Sequence, residues 1–187
     1  MRLAVLASGS GTILDAISSA GIAVAVVVVD RPCGAQEVAA RHRIPCELLE
    51  RRSYGRDFDR DGYTAELVGL LEGWDIDLVA MAGFGTILGK AMFDAFEGHI
   101  LNTHPALLPS FPGWHGVEDA LAYGVKVTGC TVHVATEEVD AGPILAQEAV
   151  AVEPGDTADS LHERIKAVER RIYIRTISEI LERGSVQ

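Results

Sequence analysis

The segment HILNTHPALLPSFPG (99–113) brings an amide, Asn102, and an imidazole, His104, to the end of a short apolar run. Pro105, Pro109 and Pro112 then stiffen the next stretch of chain. At i and i+2 of a continuing strand, both side chains project the same way. Pro105 keeps His104 extended, and a stiff loop after the pair suggests preorganisation. A third group, Asp140, lies in EEVDAGPI, where Ala-Gly-Pro makes a tight turn. If Asp140 faces His104, its carboxylate favours the charged imidazole and orients it. A charged imidazole and an amide N–H can hold a developing oxyanion, and the imidazole can pass a proton to or from an attacking amine. With no Ser or Cys nucleophile beside the set, the expected chemistry is direct transfer to an amine, without a covalent enzyme intermediate. Other readings stay open here. Asn102 and Asp140 could be turn residues, and His104 could be structural. His104, His115, His133 and Asp140 could be zinc ligands, although their spacings match no compact zinc pattern.

A second feature is ASGSGTILD (7–15), which follows one apolar run and opens a helical segment. Gly9 and Gly11 let the backbone approach a ligand, and Ser8, Ser10 and Thr12 offer hydroxyls. The helix N-terminus adds free N–H groups, so the stretch reads as an anion site suited to phosphate. A plain small-residue turn and a dinucleotide site are the alternatives. The dinucleotide fingerprint wants a third Gly where Leu14 stands. Asp30 resembles a ribose-binding acid, but Arg31 and Pro32 follow it.

These groups need a frame. The runs RLAVLA (2–7), AVAVVVV (23–29), PCELL (45–49), DLVAMA (77–82) and HILN (99–102) read as strands buried on both faces, the pattern of a parallel sheet. Helical segments alternate with them at about 12–20, 34–43, 60–73, 89–96 and 116–123. After Gly124, VKVTGCTVHVA and GPILAQEAVAV read as two strands antiparallel to each other. A long amphipathic helix follows, with Thr157 as N-cap and Gly184 as its stop. The expectation is an α/β fold: one doubly wound, mostly parallel Rossmann-like sheet with an antiparallel late strand pair and a long C-terminal helix.

The 187 residues suffice for one domain with a full core. Apolar residues make up 48% and charged residues 23%, the balance of a soluble protein. A formal net charge of -11 argues against nucleic acid as the main ligand. Cys33, Cys46 and Cys130 are odd in number and widely spaced, as expected of reduced thiols in the cytoplasm. GIAVAVVVVD is about half the length needed to cross a bilayer, so no membrane partner is expected.

Five stretches carry a resemblance along nearly the whole chain: LASGSGT, VAMAGFGTIL (79–88), LNTHPALLPSFPGWHG (101–116), VTGCTVHVATEEVDAGPILAQ (127–147) and VERRIY (168–173). With them the chain resembles the phosphoribosylglycinamide formyltransferase family of the folate-dependent formyltransferase superfamily. The resemblance implies a purine-biosynthesis enzyme with 10-formyltetrahydrofolate as co-substrate, glycinamide ribonucleotide as acceptor, and no metal. It implies that Asn102 and His104 stabilise the oxyanion while Asp140 keeps His104 charged and helps a water carry the proton to the folate. It places the phosphate at Ser10, Gly11 and Thr12, with Arg60 beside it, and the ribose at Glu169. The folate lies against Phe84, Gly85, Thr86, Ile87 and Leu88 and the loop around Asp140. Gly113, His115 and His133 match supporting positions. One formyltransferase domain, 1–187, then has a nucleotide-binding half (1–100) and a catalytic and folate-binding half (101–187), as a monomer or homodimer. The family carries Asn where this chain has Ser10 and Ile13, and GFMRIL where it has GFGTIL, so Gly85 and Thr86 replace a Met and an Arg. Within the superfamily, transfer to methionyl-tRNA would call for a further RNA-binding domain and a basic surface. A nucleotide-binding sensor without catalysis is the alternative of another class, and it would not need the His104–Asp140 pair.

Overall fold

The computed structural model describes residues 1–186. Its elements run β1 (Leu3–Ala7), α1 (Thr12–Ser19), β2 (Val24–Val29), α2 (Gly34–His42), β3 (Cys46–Leu48), α3 (Arg60–Gly73), β4 (Leu78–Met81), α4 (Lys90–Ala95), β5 (Ile100–His104), α5 (Gly116–Tyr123), β6 (Val127–Val134), β7 (Ile144–Ala151) and α6 (Ala158–Arg183). The chain divides into two compact units, Met1–Leu101 and Asn102–Gln187. β5 runs through the division.

In the first unit β1, β2, β3, β4 and β5 are parallel. Leu3 to Ala7 and Val26 to Val29 are fully buried, which is why these runs read as continuous rather than alternating. Each such Val or Leu side chain contributes about 1.5–3 kcal/mol on burial. The hydrogen-bonded order is β3-β2-β1-β4-β5-β6-β7. The order therefore reverses between β1 and β4. Ligands of open α/β sheets gather at the carboxyl ends of the strands flanking such a reversal. Here those ends carry the glycine turn after β1 and the irregular segment 82–89 after β4.

In the second unit β6 and β7 pair antiparallel, as expected, with Val127 opposite Ala151 and His133 opposite Ile144. α6 packs on β6, β7 and α5 and buries Leu161, Ile165, Ile172, Tyr173 and Ile177. Thr157 caps it: the Thr157 hydroxyl accepts from Ser160 N at 3.2 Å, and Thr157 N donates to Ser160 Oγ at 3.0 Å. Gly184 ends it in the left-handed conformation. Most expected boundaries shift by a residue or two, and one of these shifts matters to the site. β5 extends through His104, two residues beyond the apolar run HILN, so Asn102 and His104 are strand residues sharing one face.

Candidate active site

β5 delivers Asn102 and His104 on one face, and β6 and the turn after it supply the partners. Asp140 sits in that turn with φ 57, a left-handed conformation that costs a non-glycine residue roughly 1–3 kcal/mol. Its carboxylate is held by three groups. Gly113 N donates to Oδ2 at 2.8 Å, His104 Nδ1 stands 3.3 Å from Oδ2, and His133 Nε2 stands 3.5 Å from Oδ1. Burial pushes the Asp140 carboxyl up. The His133 contact, the Gly113 N–H and the charges of the two imidazoles outweigh it and hold the group below the usual carboxylate range.

His104 is buried, with 4% of its surface exposed. Its Nε2 lies 2.6 Å from the Phe111 carbonyl oxygen. A carbonyl only accepts, so Nε2 carries a hydrogen. With a carbonyl at Nε2 and a carboxylate at Nδ1, the ring that bears hydrogens on both nitrogens satisfies both contacts. Phe111 is itself left-handed, at φ 55, and its ring packs edge-on against Tyr123. His104 Nε2 is thus held by the chain's own backbone. Gly116 makes room for this: a Cβ there would stand 2.9 Å from His104 Nε2 and 3.0 Å from the Phe111 oxygen.

His133 is fully enclosed and donates from Nδ1 to the Val134 carbonyl at 3.0 Å. Its Nε2 is 3.4 Å from the Asn102 amide nitrogen. The neutral ring accepts there from Asn102, and the charged ring donates to Asp140. His115, by contrast, is exposed at the start of α5, and its side chain makes no capping bond. Among the described residues no three His, Cys, Asp or Glu side chains are grouped to hold a metal ion.

Glu169 approaches β5 from α6. Thr103 Oγ1 donates to its Oε1 at 2.5 Å. Thr103 alternates with Asn102 and His104, so Glu169 lies against the opposite face of the strand. Burial raises the Glu169 carboxyl above its ordinary range, against the Thr103 bond and nearby positive charge. Its Oε2 makes no hydrogen bond among the described residues.

In the first unit the glycine turn is open. Ser10 and Thr12 are exposed, and Gly11 is buried at φ 77. α1 begins with no side-chain cap, which leaves its first N–H groups available. A Cβ on Gly11 would stand 2.7 Å from Ala35 Cα. Ile13 packs into the core. Arg60 opens α3 with its side chain exposed, and Asp59 caps that helix by accepting from Gly62 N at 2.9 Å. Along 84–88, Phe84, Thr86 and Leu88 are buried, while Ile87 is exposed.

Several working residues give no sign of themselves in the sequence. Thr131 Oγ1 donates to the Ala106 carbonyl at 2.7 Å and accepts from Leu108 N at 3.0 Å. Gln147 Nε2 donates to the Leu108 carbonyl at 2.9 Å. Together they fix the backbone just after His104. Both lie inside the block 127–147, but a β-strand Thr or Gln carries no signal of what it will bond. Thr103, Gly116 and the Phe111 carbonyl are likewise invisible without coordinates.

The family model described as formyl transferase matches residues 1–177. The phosphoribosylglycinamide formyltransferase of Mycobacterium tuberculosis is 45% identical over 188 residues, covering 98% of this chain and 86% of its own. The trifunctional purine biosynthetic protein adenosine-3 of Homo sapiens is 40% identical over 194 residues, covering 100% of this chain and 19% of its own. Among solved structures, phosphoribosylglycinamide formyltransferase from Streptococcus pneumoniae superposes with a TM-score of 0.89 at 36% identity, over 96% of this chain and 98% of its own. With the match running from β1 into α6, this chain belongs to the formyl transferase family.

Proposed function

We propose that this protein transfers the formyl group of 10-formyltetrahydrofolate to the glycyl amine of glycinamide ribonucleotide, a step of purine biosynthesis. The observation that carries the reading is the buried His104–Asp140 pair with Asn102 on the same strand face. The amine attacks the formyl carbon and the carbonyl oxygen becomes an oxyanion. His104 and Asn102 donate to it. As the bond from carbon to the folate nitrogen breaks, the amine's proton passes to that nitrogen, with Asp140 and a water as the relay. For this to happen the formyl oxygen takes the place that the Phe111 carbonyl holds on His104 Nε2.

The phosphate is received by the turn at Ser10, Gly11 and Thr12, with Arg60 as a neighbouring cation, and Glu169 takes a ribose hydroxyl on its uncommitted oxygen. The exposed turn hydroxyls and the uncapped α1 support the first assignment. The folate lies along Phe84, Gly85, Thr86, Ile87 and Leu88 and the turn at Asp140, and Gly113 and His133 support that carboxylate. On this reading 1–100 is the nucleotide half and 101–187 the catalytic and folate half of a cytoplasmic monomer or homodimer that needs neither metal nor nucleic acid. The test is release of tetrahydrofolate, followed by absorbance, on mixing protein, donor and glycinamide ribonucleotide. Turnover that depends on the amine is expected, and its absence would remove the reading.

A further inference from the structure

Asp30 stands at the end of β2, where a dinucleotide-binding protein would hold a ribose. It is fully buried instead. Thr86 Oγ1 donates to its Oδ2 at 2.8 Å. Arg31 grips it with a fork, Nε to Oδ1 at 3.0 Å and Nη2 to Oδ2 at 3.1 Å. The neighbouring Ser8 hydroxyl helps to keep it ionised. Ser8 Oγ in turn accepts from Gly85 N at 2.7 Å, and Ser8 N donates to the Gly83 carbonyl at 3.2 Å. Two consecutive residues of the segment after β4 are therefore fastened from behind, Thr86 to the Asp30 carboxylate and Gly85 to the Ser8 hydroxyl. Arg31 lies close over Gly85, where an added Cβ would be 3.3 Å from its Nη2. At the far end Gly89 N donates to Thr64 Oγ1 at 2.9 Å.

The segment needs such fastening. It is neither helix nor strand, and among the described residues the backbone groups of Thr86 and Ile87 have no hydrogen-bond partner. A backbone left unpaired at the sheet's switch point is an edge on which a planar ligand with donors and acceptors can pair. An ionised carboxylate buried this deeply is kept only where its bonds are complete. Burial pushes Asp30 up, and Arg31, Thr86 and Ser8 bring it below its ordinary range.

We propose that Asp30 is a positioning residue for the folate, holding the segment 84–88 from behind through Thr86 so that the backbone edge of Thr86 and Ile87 stays ready for the pterin. This rests on the folate placement under the proposed function. Arg31, fixed by the same carboxylate, fills the space over Gly85 that a side chain in the segment would otherwise occupy.

Asp30→Asn leaves Arg31 beside a neutral amide and risks the fold, so the test uses Thr86. Thr86→Val keeps the shape and deletes the hydroxyl, and Thr86→Ser keeps the hydroxyl. Thr86→Val is expected to raise KM for the formyl donor about tenfold with kcat within about twofold, and Thr86→Ser to stay near wild type. Unchanged KM in Thr86→Val, a loss confined to kcat, or Thr86→Ser as impaired as Thr86→Val would each overturn the proposal. Amide hydrogen exchange over 83–88 in the unliganded protein supplies a readout that needs no activity. Faster exchange in Thr86→Val than in Thr86→Ser is expected, and equal exchange overturns the fastening. If the wild type shows no amine-dependent turnover, the functional reading fails, and the exchange result still decides whether Thr86 fixes the segment.

Discussion

The glycine turn after β1 and the His104–Asp140 cluster are built by opposite means. The turn uses almost no side chains. Gly11 gives it shape, Ser10 and Thr12 stand in solvent, and α1 begins uncapped. The cluster is nearly all side chain, enclosed and mutually bonded, and even the Phe111 carbonyl is drawn in to cap His104. A site made of backbone N–H groups is ready without rearrangement, because fixed peptide dipoles serve any anion that fits. A site made of buried ionisable groups must satisfy itself when empty, since an unpaired buried polar group is costly. On the proposed reading the turn should therefore tolerate loss of a side chain, and the cluster should not.

The largest expected effect comes from removing the charge at the centre of the cluster. Asp140→Asn keeps an acceptor for the Gly113 N–H but no longer opposes the imidazole charge. We expect kcat to fall about 10²–10³-fold while both ligands bind within about twofold of wild type. Near-full turnover in the variant would place Asp140 outside the chemistry. The pH dependence has a definite sign. A carboxyl held below its unfolded value stabilises the fold above about pH 4 and loses that contribution as pH falls through the folded value. Acid unfolding below about pH 4 should therefore be steeper in wild type than in Asp140→Asn, and parallel acid titrations followed by circular dichroism would break the assignment if the two coincide.

Glu169 is intermediate between the two designs, a half-buried carboxylate with one oxygen engaged and one uncommitted. Its carboxyl is raised, so the sign reverses. The stabilising contribution is fully present below the unfolded value of about 4.3 and is lost as pH rises through the folded value. Glu169→Gln, which still accepts from Thr103, should raise Tm at about pH 7, with the gain shrinking as pH approaches about 4. The same variant should raise KM for the nucleotide about tenfold, because a neutral amide oxygen accepts more weakly from a ribose hydroxyl. A raised Tm with unchanged KM would leave Glu169 a purely structural group.

The two regions also differ in how far the sequence reveals them. Strand runs such as AVAVVVV, the cap at Thr157 and the stop at Gly184 are legible because burial periodicity and capping chemistry are local. Asn102, His104 and Asp140 are legible as types, since an amide and an imidazole at the end of an apolar run are conspicuous. Their closure by Phe111 is not, because a backbone carbonyl has no letter of its own and a left-handed Phe is not foreseen from its neighbours. Asp30 misleads for the same reason. Its place after β2 suggests a ribose, and only the packing shows that Thr86, 56 positions away, takes its oxygen. Sequence spacing reports which face a side chain leaves from, but not which partner arrives there.

The smallest expected effect tests the other half of the contrast. Ser10→Ala and Thr12→Ala each delete one exposed hydroxyl from a turn whose N–H groups remain. An exposed neutral hydroxyl competes with water, so its net contribution to holding a phosphate is about 1 kcal/mol or less. We expect KM for the nucleotide to rise less than about fivefold in either variant, with kcat and Tm unchanged. Phosphate competition measured against the same variants checks that the change lies in anion binding. A rise of more than about thirtyfold from either hydroxyl would mean that side chains, not backbone, hold the anion. The turn would then belong with the His104–Asp140 cluster as a site that cannot lose a side chain.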